Sequence, residues 1–243
     1  MTTMAPSRVL RVVCISDTHS RHNDLVVPDG DILIHAGDFT KRGGHAEIKA
    51  FDDWLAALPH RHKVVVAGNH ELSLDAAWYP TDWKKWHKTF QDPSVSKQLL
   101  RHCTYLENQV LEVEGLRIFG SPYSTLNPGA VMAFQAFPGS HAQGIWGQAP
   151  ANVDILVTHG PPLGIRDLSV RGHRCGDEDL LHDVQTRILP KYHVFGHIHE
   201  CYGSETIGPT TFINAASSTL LRQCTNAPIV FDIALASKDD ETM

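Results

Sequence analysis

Short apolar runs recur along the chain, and most end abruptly in a polar cluster. Val9 to Ile15 is apolar at every position but Arg11, a short run that predicts a β-strand. Asp31 to Ala36 and Lys63 to Ala67 predict two more. Between them, Ile48, Phe51, Leu55 and Leu58 recur at three or four residues, so the pattern predicts a helix from Ala46 to Leu58, stopped by Pro59. This βαβ rhythm predicts a sheet covered by helices. Asp75 to Phe90 reads as helical, with a break near Pro80, and Val95 to His102 as a short helix. Two β-rich runs, Val110 to Val113 and Leu116 to Phe119, flank Glu114-Gly115 and predict a hairpin, hence a mixed sheet. Val153 to Thr158 is another strand. Asp177 to Leu189 reads as a helix capped by Asp177, and Tyr192 to Phe195 as a strand ending at Gly196. Later strands are expected at Thr211 to Ile213, Thr219 to Leu221 and Ile229 to Leu235. Residues 122–152 show no clear period, a mark of a functional loop region. No repeat or linker divides the chain. One domain over 1–243 is expected, with its core at about 9–235 and a disordered tail at 238–243.

Bulk composition narrows the function classes. The 243 residues are 42% apolar and 20% charged, ordinary for a globular protein. The formal charge is −6, which argues against a broad basic face for extended nucleic acid. No run of about 20 apolar residues predicts a membrane span, and the N-terminus lacks a secretory pattern. Five cysteines without framework spacing point to a reducing compartment and to the cytoplasm, with Cys14 as a small buried hydrophobe. Sixteen histidines are unusual and call for an explanation.

The explanation lies at the strand ends. Asp17-Thr18-His19, Gly37-Asp38, Gly68-Asn69-His70-Glu71, Thr158-His159-Gly160 and Gly196-His197-Ile198-His199 each follow an apolar run. Strand C-termini gather on one edge of such sheets, so five polar sets converge. Their carboxylate, imidazole and amide donors suit Mn, Fe or Zn and not Ca. A shared carboxylate bridges two cations about 3.5–4 Å apart in two-metal hydrolases. Gly37, Gly68, Gly160 and Gly196 allow tight turns and close approach beside these donors. His35, inside a strand, reads as structural.

Those five segments, in that order, resemble the signature of the calcineurin-like metallophosphoesterases. The longer strings around them, such as Val66-Ala67-Gly68-Asn69-His70-Glu71-Leu72, are similar to the metallophosphoesterase-domain-containing branch, some members of which are described as cyclic nucleotide phosphodiesterases. The resemblance spans roughly residues 9–235. It implies an α/β (α+β) fold: a double β-sandwich flanked by helices in four layers, αββα. It implies one metal held by Asp17, His19, Asp38 and His199, and a second by Asp38, Asn69, His159 and His197. Asp38 and a water or hydroxide would bridge them, and His70 would face the phosphate and assist the leaving oxygen. Certain animal relatives carry Gly where this chain has His197, so its second site reads as intact. The second motif lacks the further Asp typical of Ser/Thr protein phosphatases.

The implied activity is metal-dependent phosphoester hydrolysis with a small phosphodiester substrate, a cyclic nucleotide among the candidates. A phosphomonoesterase or protein phosphatase stays open as an alternative, as does a non-catalytic binding scaffold on the same fold. Metal identity and oligomeric state are not indicated. Glu71 and Glu200 each follow a site histidine and read either as imidazole-orienting groups or as surface ion pairs. Arg166, Arg171 and Arg174 read as a solvated loop or a phosphate contact. Asn214 reads as a contact at the site edge, and Tyr123 or Trp146 as core or as a base-stacking ring. Ser121 to Pro128 is expected to border the pocket.

Overall fold

The computed structural model describes residues 8–127 and 129–235. Pro128 and the tail expected to be disordered lie outside them. The strands in chain order are β1 (Val9–Ile15), β2 (Ile32–Ala36), β3 (His62–Val66), β4 (Thr104–Tyr105), β5 (Gln109–Val113), β6 (Leu116–Ser121), β7 (Ser124–Thr125), β8 (Gln135–Ala136), β9 (Ile155–Thr158), β10 (Tyr192–Phe195), β11 (Gly203–Ile207), β12 (Thr210–Asn214) and β13 (Ile229–Ala234). The helices are α1 (His45–Ala57), α2 (Tyr79–Asp82), α3 (Pro93–Gln98), α4 (Ser140–Trp146) and α5 (Glu178–Asp183).

Two large sheets form, ordered β13-β1-β2-β3-β4 and β11-β12-β10-β9-β6-β5. The interior strands β1–β2–β3 and β12–β10–β9–β6 pair in parallel, while β13, β11 and β5 join as antiparallel edges. The β5–β6 hairpin turns at Glu114 and Gly115, both at positive φ (53° and 87°), as the tight two-residue turn requires.

The side-chain period of two explains the layering. Val12, Cys14, Ile32, Ile34, Val64 and Val66 of one sheet meet Ile118, Ile155, Val157, Val194 and Ile213 of the other. Their neighbours face outward: Val13, Ile15, Leu33 and Val65 pack under Ile48, Phe51 and Leu55 of α1. Phe119, Leu156, Phe195 and Phe212 pack under α4 and α5. The result is the expected helix–sheet–sheet–helix order. Cys14 is buried as expected, and all five cysteines are unpaired. No helix among the described residues is long and apolar enough to cross a membrane.

Several expected elements differ. Thr219 to Leu221 is not a strand. Arg222 adopts φ 56° and the chain reverses, with Arg222 N–H donating to the Thr219 carbonyl at 2.8 Å. Leu220 and Leu221 are left 52% and 80% exposed, with no sheet to cover them. Asp75 to Phe90, expected to be helical with a break near Pro80, forms only short helical turns. The Asp75 carboxylate takes the N–H groups of Ala77, Trp78 and Phe134, and Pro80 opens the short α2 instead of breaking a longer helix. The helix expected up to Leu189 passes from α5 into a π-turn over Val184–Ile188 and ends at Leu189 in a left-handed conformation. The structureless reading of 122–152 gives way to β7, β8 and α4. The strands β4, β7, β8 and β11 were not foreseen.

His193, on the outer face of β10, is fully buried between Phe195 and Phe212. Its Nε2–H donates to Thr158 Oγ1 at 2.8 Å, and burial pushes its pKa down to about 3. The folded state refuses a proton that the unfolded chain takes below pH 6.5, so stability falls as pH drops from there toward 3. At pH 5 this one group costs about 2 kcal/mol. Urea midpoints should therefore fall more steeply between pH 7.5 and 5 for the wild type than for His193→Phe. Equal slopes would exclude His193 as a source of acid sensitivity.

Candidate metal centre

The polar sets at the ends of β1, β2, β3, β9 and β10 converge where the two sheets meet. Backbone bonds tie that seam. Ser217 N–H donates to the Ser16 carbonyl across the seam at 2.8 Å, and within the second sheet Gly196 N–H donates to the His159 carbonyl at 3.0 Å. Asp17, His19, Asp38, Asn69, His159, His197 and His199 are all brought together, with His70 at the rim. Three groups of donor atoms lie within 4.8 Å of one another: Asp17–His19–His199, His19–Asp38–His70 and Asp38–His159–His197.

The hydrogen bonds fix the ring orientations. Nδ1–H of His19 donates to the Thr40 carbonyl (3.3 Å), that of His159 to Ala36 (2.8 Å) and that of His199 to Thr219 (3.2 Å). A carbonyl only accepts, so Nδ1 carries a proton in each ring and Nε2 is the nitrogen left to ligate once it is deprotonated. Those Nε2 atoms face one another or acceptors. His19 Nε2 lies 3.2 Å from His199 Nε2. His159 Nε2 lies 3.1 Å from Asn69 Oδ1 and 3.3 Å from Asp38 Oδ1. His199 Nε2 lies 3.3 Å from Asp17 Oδ1, which has no hydrogen-bond partner. Acceptors packed this closely repel unless protons or metal cations lie among them, so this donor set fits metal ions that displace the Nε2 protons.

Asp38 spans both groups. Its Oδ1 faces His159, while its Oδ2 lies 4.0 Å from Nε2 of both His19 and His70. Burial works to raise its pKa, but His159, His70 and His19 hold it well below the carboxylate range. Burial pushes His19 and His197 down to about 4, which keeps them neutral and able to ligate. Burial would lower His159 as well, yet the Asp38 and Asp17 carboxylates raise it to about 9.

The backbone is strained here. Asp17, His19, Ser20, Asp38 and His197 all take positive φ, between 43° and 68°, which costs each non-glycine residue on the order of 1 kcal/mol. The loops also pass so close that side chains are excluded. A Cβ on Gly196 would strike Asp17 Oδ2, and one on Gly68 would strike Asp38 Oδ1.

Glu71 neither orients an imidazole nor forms a surface ion pair. It is fully buried and accepts four hydrogen bonds: from the N–H groups of Asp38 (2.8 Å), Thr40 (2.8 Å) and Gly68 (2.7 Å), and from the Thr40 hydroxyl (2.7 Å). Burial and the Asp38 charge push its pKa up to about 8, against the pull of these donors. It fastens the loops after β2 and β3 to each other. Asn214 does the same for the β10 loop, its amide reaching the Ile198 carbonyl at 2.9 Å. Glu200 accepts from Val170 N–H at 2.7 Å and orients no imidazole. Arg166 binds the Tyr202 and Ser204 carbonyls, and Arg174 pairs with Asp167 at 2.6 Å. Arg171 is exposed and does not line the cleft. Trp146 is core, its indole N–H on Asp177 at 3.1 Å. Tyr123 packs on Phe134 and His141 in a side pocket. His35 is structural, buried and 3.1 Å from Thr18 Oγ1.

A cleft of about 660 Å³ opens over the centre. Its walls include residues that sequence reasoning passed over: Lys41, Arg42, Trp86, Met132, Leu220 and Arg222. Only the first two carried a signal, as a basic pair three residues past Asp38.

A profile of the calcineurin-like phosphoesterases matches residues 10–201. The chain belongs to that family. "Metallophosphoesterase domain-containing protein 1" of Homo sapiens is 44% identical over 239 residues, covering 94% of this chain and 72% of the human protein. A UPF0046 protein of Caenorhabditis elegans is 41% identical over 232 residues, 93% of this chain and 82% of its own. The solved structure titled "Structural and Functional Characterization of a Novel Archaeal Phosphodiesterase" is similar at 16% identity, covering 93% of this chain and 99% of its own, with a TM-score of 0.39. The family is one of metal-dependent phosphoester hydrolases, and the clusters of this chain suit such metals.

Glu71→Ala would leave four buried donors without their acceptor. With about 1–3 kcal/mol lost per unsatisfied buried group, the variant should be at least about 3 kcal/mol less stable in urea with chelator present. Wild-type stability would show that the four donors do not depend on Glu71.

Proposed function

We propose that this protein hydrolyses a small phosphodiester at a two-metal centre, with a cyclic nucleotide as a candidate substrate. One observation carries the reading: largely buried imidazole nitrogens and carboxylates from five strand ends converge within 4.8 Å of one another, in groups two of which share Asp38. Asp17, His19, Asp38 and His199 would hold one cation, and Asp38, Asn69, His159 and His197 the other. Manganese, iron and zinc all suit this nitrogen-rich set. When bound, such cations lower the pKa of a water for attack and neutralise the phosphoryl oxygens.

The chain's own groups do the rest. His70 is anchored through Nδ1–H to the Lys41 carbonyl at 2.6 Å, so its Nε2 faces the cleft beside Asp38. When protonated there, it donates to the departing oxygen. Glu71 and Asn214 hold the donor loops in register, so little reorganisation accompanies the reaction. Half-buried Trp86 on the cleft wall offers a ring face to a nucleobase. Five unpaired cysteines support work in the cytoplasm.

Metal-free protein supplied separately with Mn, Fe or Zn should turn over bis-p-nitrophenyl phosphate and 2′,3′- or 3′,5′-cyclic nucleotides faster than p-nitrophenyl phosphate. A marked preference for the monoester would overturn the diesterase reading. His70→Ala should lower kcat by roughly 10²-fold or more with metal content near wild type. Undiminished turnover would remove His70 from the mechanism. His197→Ala and Asn69→Ala should each retain about one cation per chain by elemental analysis. Two retained cations would refute the second ligand set.

A further inference from the structure

The charge lining the cleft exceeds what one phosphodiester needs. Lys41 and Arg42 stand on one wall, on the loop after β2, just past His70. Arg222 stands on another, on the turn whose Thr219 carbonyl anchors His199. Among the described residues no carboxylate lies within ion-pair distance of any of the three. Other basic residues near the centre are paired: Arg21 with Asp24, Arg166 with Glu205 and Arg174 with Asp167.

The backbone around these cations is fixed while their charged ends are free. Glu47 accepts from the N–H groups of Lys41 and Arg42, and Arg21 donates to the Arg222 carbonyl at 3.1 Å. Apart from Asp38, Glu200 is the carboxylate residue lining the cleft. Three cations against one carboxylate leave an excess of two positive charges on the walls, in a chain whose formal charge is −6. A general steering field would not need this placement, which brackets the centre from two sides.

A phosphodiester carries one negative charge, and the metal centre itself answers that charge. The wall cations suit a second anion of about −2, the charge of a phosphomonoester near neutral pH. We infer that the substrate is a phosphodiester bearing an additional phosphate, which Lys41, Arg42 and Arg222 bind while the diester lies over the centre. This rests on the phosphodiesterase reading above and narrows it: an unphosphorylated cyclic nucleotide would be a poor substrate, and a nucleotide diester with a further phosphate a good one. Arginine's planar fork and the lysine point charge both favour phosphate oxygens.

Two esters with the same leaving group isolate the extra phosphate: thymidine 5′-(p-nitrophenyl phosphate) and its 3′-phosphorylated form. With the best metal from the panel, kcat/KM for the phosphorylated ester should be at least about tenfold higher. The ratio should shrink as ionic strength rises, because the wall cations are exposed. It should approach 1 in K41Q/R42Q/R222Q, with Arg222→Gln alone giving an intermediate ratio. Calorimetry supplies a readout without turnover: adenosine 3′,5′-bisphosphate should bind the metal-loaded protein at least about tenfold more tightly than AMP. Equal hydrolysis of both esters overturns the inference and leaves the diesterase reading standing. A ratio unchanged in the triple variant overturns it as well. If neither ester is cleaved, the diesterase reading falls and the inference with it; equal binding of the bisphosphate and AMP overturns the inference alone, because the wall cations then hold no second phosphate.

Discussion

The Asp38 carboxylate is shared between two sets of imidazoles, and much of the site is arranged so that it stays shared. Its Oδ1 faces His159 from the second sheet, and its Oδ2 faces His19 and His70 from the first. Its own N–H is held by Glu71, its Oδ1 takes the His70 N–H at 2.9 Å, and Gly68 is bare so that Oδ1 can approach. The left-handed backbone at Asp38 aims the carboxylate back across the sheet end, a conformation that persists only because these contacts over-determine it. Loss of the Asp38 orientation would affect both donor groups together, because Asp38 is, among the described residues, the one carboxylate that reaches both.

The two sheets have different jobs in this arrangement. The first supplies Asp17, His19, Asp38 and Asn69, and the second supplies His159, His197 and His199. The apolar seam between them sets their spacing, through Val12, Ile34 and Val64 against Ile155, Val157 and Val194. Polar links then set the register: His159 Nδ1–H reaches across to the Ala36 carbonyl, and His197 N–H reaches to Asp17 Oδ2 at 3.0 Å. Hydrophobic packing is non-directional, so it brings the sheet edges together without aligning donors. The directional bonds at the seam supply that alignment.

Much of this was legible from the chain. A strand that ends in Gly-Asp or Gly-Asn-His announces both its length and its chemistry, and β1 and β10 fall where the apolar runs put them. Sequence said less wherever tertiary contacts outweigh local pattern. Thr219 to Leu221 looks like a strand by propensity, yet Arg222 reverses the chain there and the Thr219 carbonyl serves His199. Asp75 to Phe90 read as helical with a break near Pro80, but Asp75 takes N–H groups that the first helical piece would use, and only short turns form. Glu71 was ambiguous because a carboxylate beside a site histidine has two ordinary uses, and bracing three backbone N–H groups from separate segments is visible only in three dimensions.

Strain, bare glycines and buried charge all gather at this one edge, and together they show where stability has been given up. Five non-glycine residues at positive φ cost on the order of 1 kcal/mol each, in a protein class whose net stability is about 5–15 kcal/mol. Repulsion between the buried Asp17 and Asp38 carboxylates adds to that cost. No packing need elsewhere in the fold requires this expense, since the strands below the edge are regular and their side chains alternate cleanly between two cores. The strain is therefore best understood as pre-organisation: the donors are held in place before any cation arrives, and a bound cation would relieve the repulsion that the apolar seam and the Glu71 and Asn214 braces sustain.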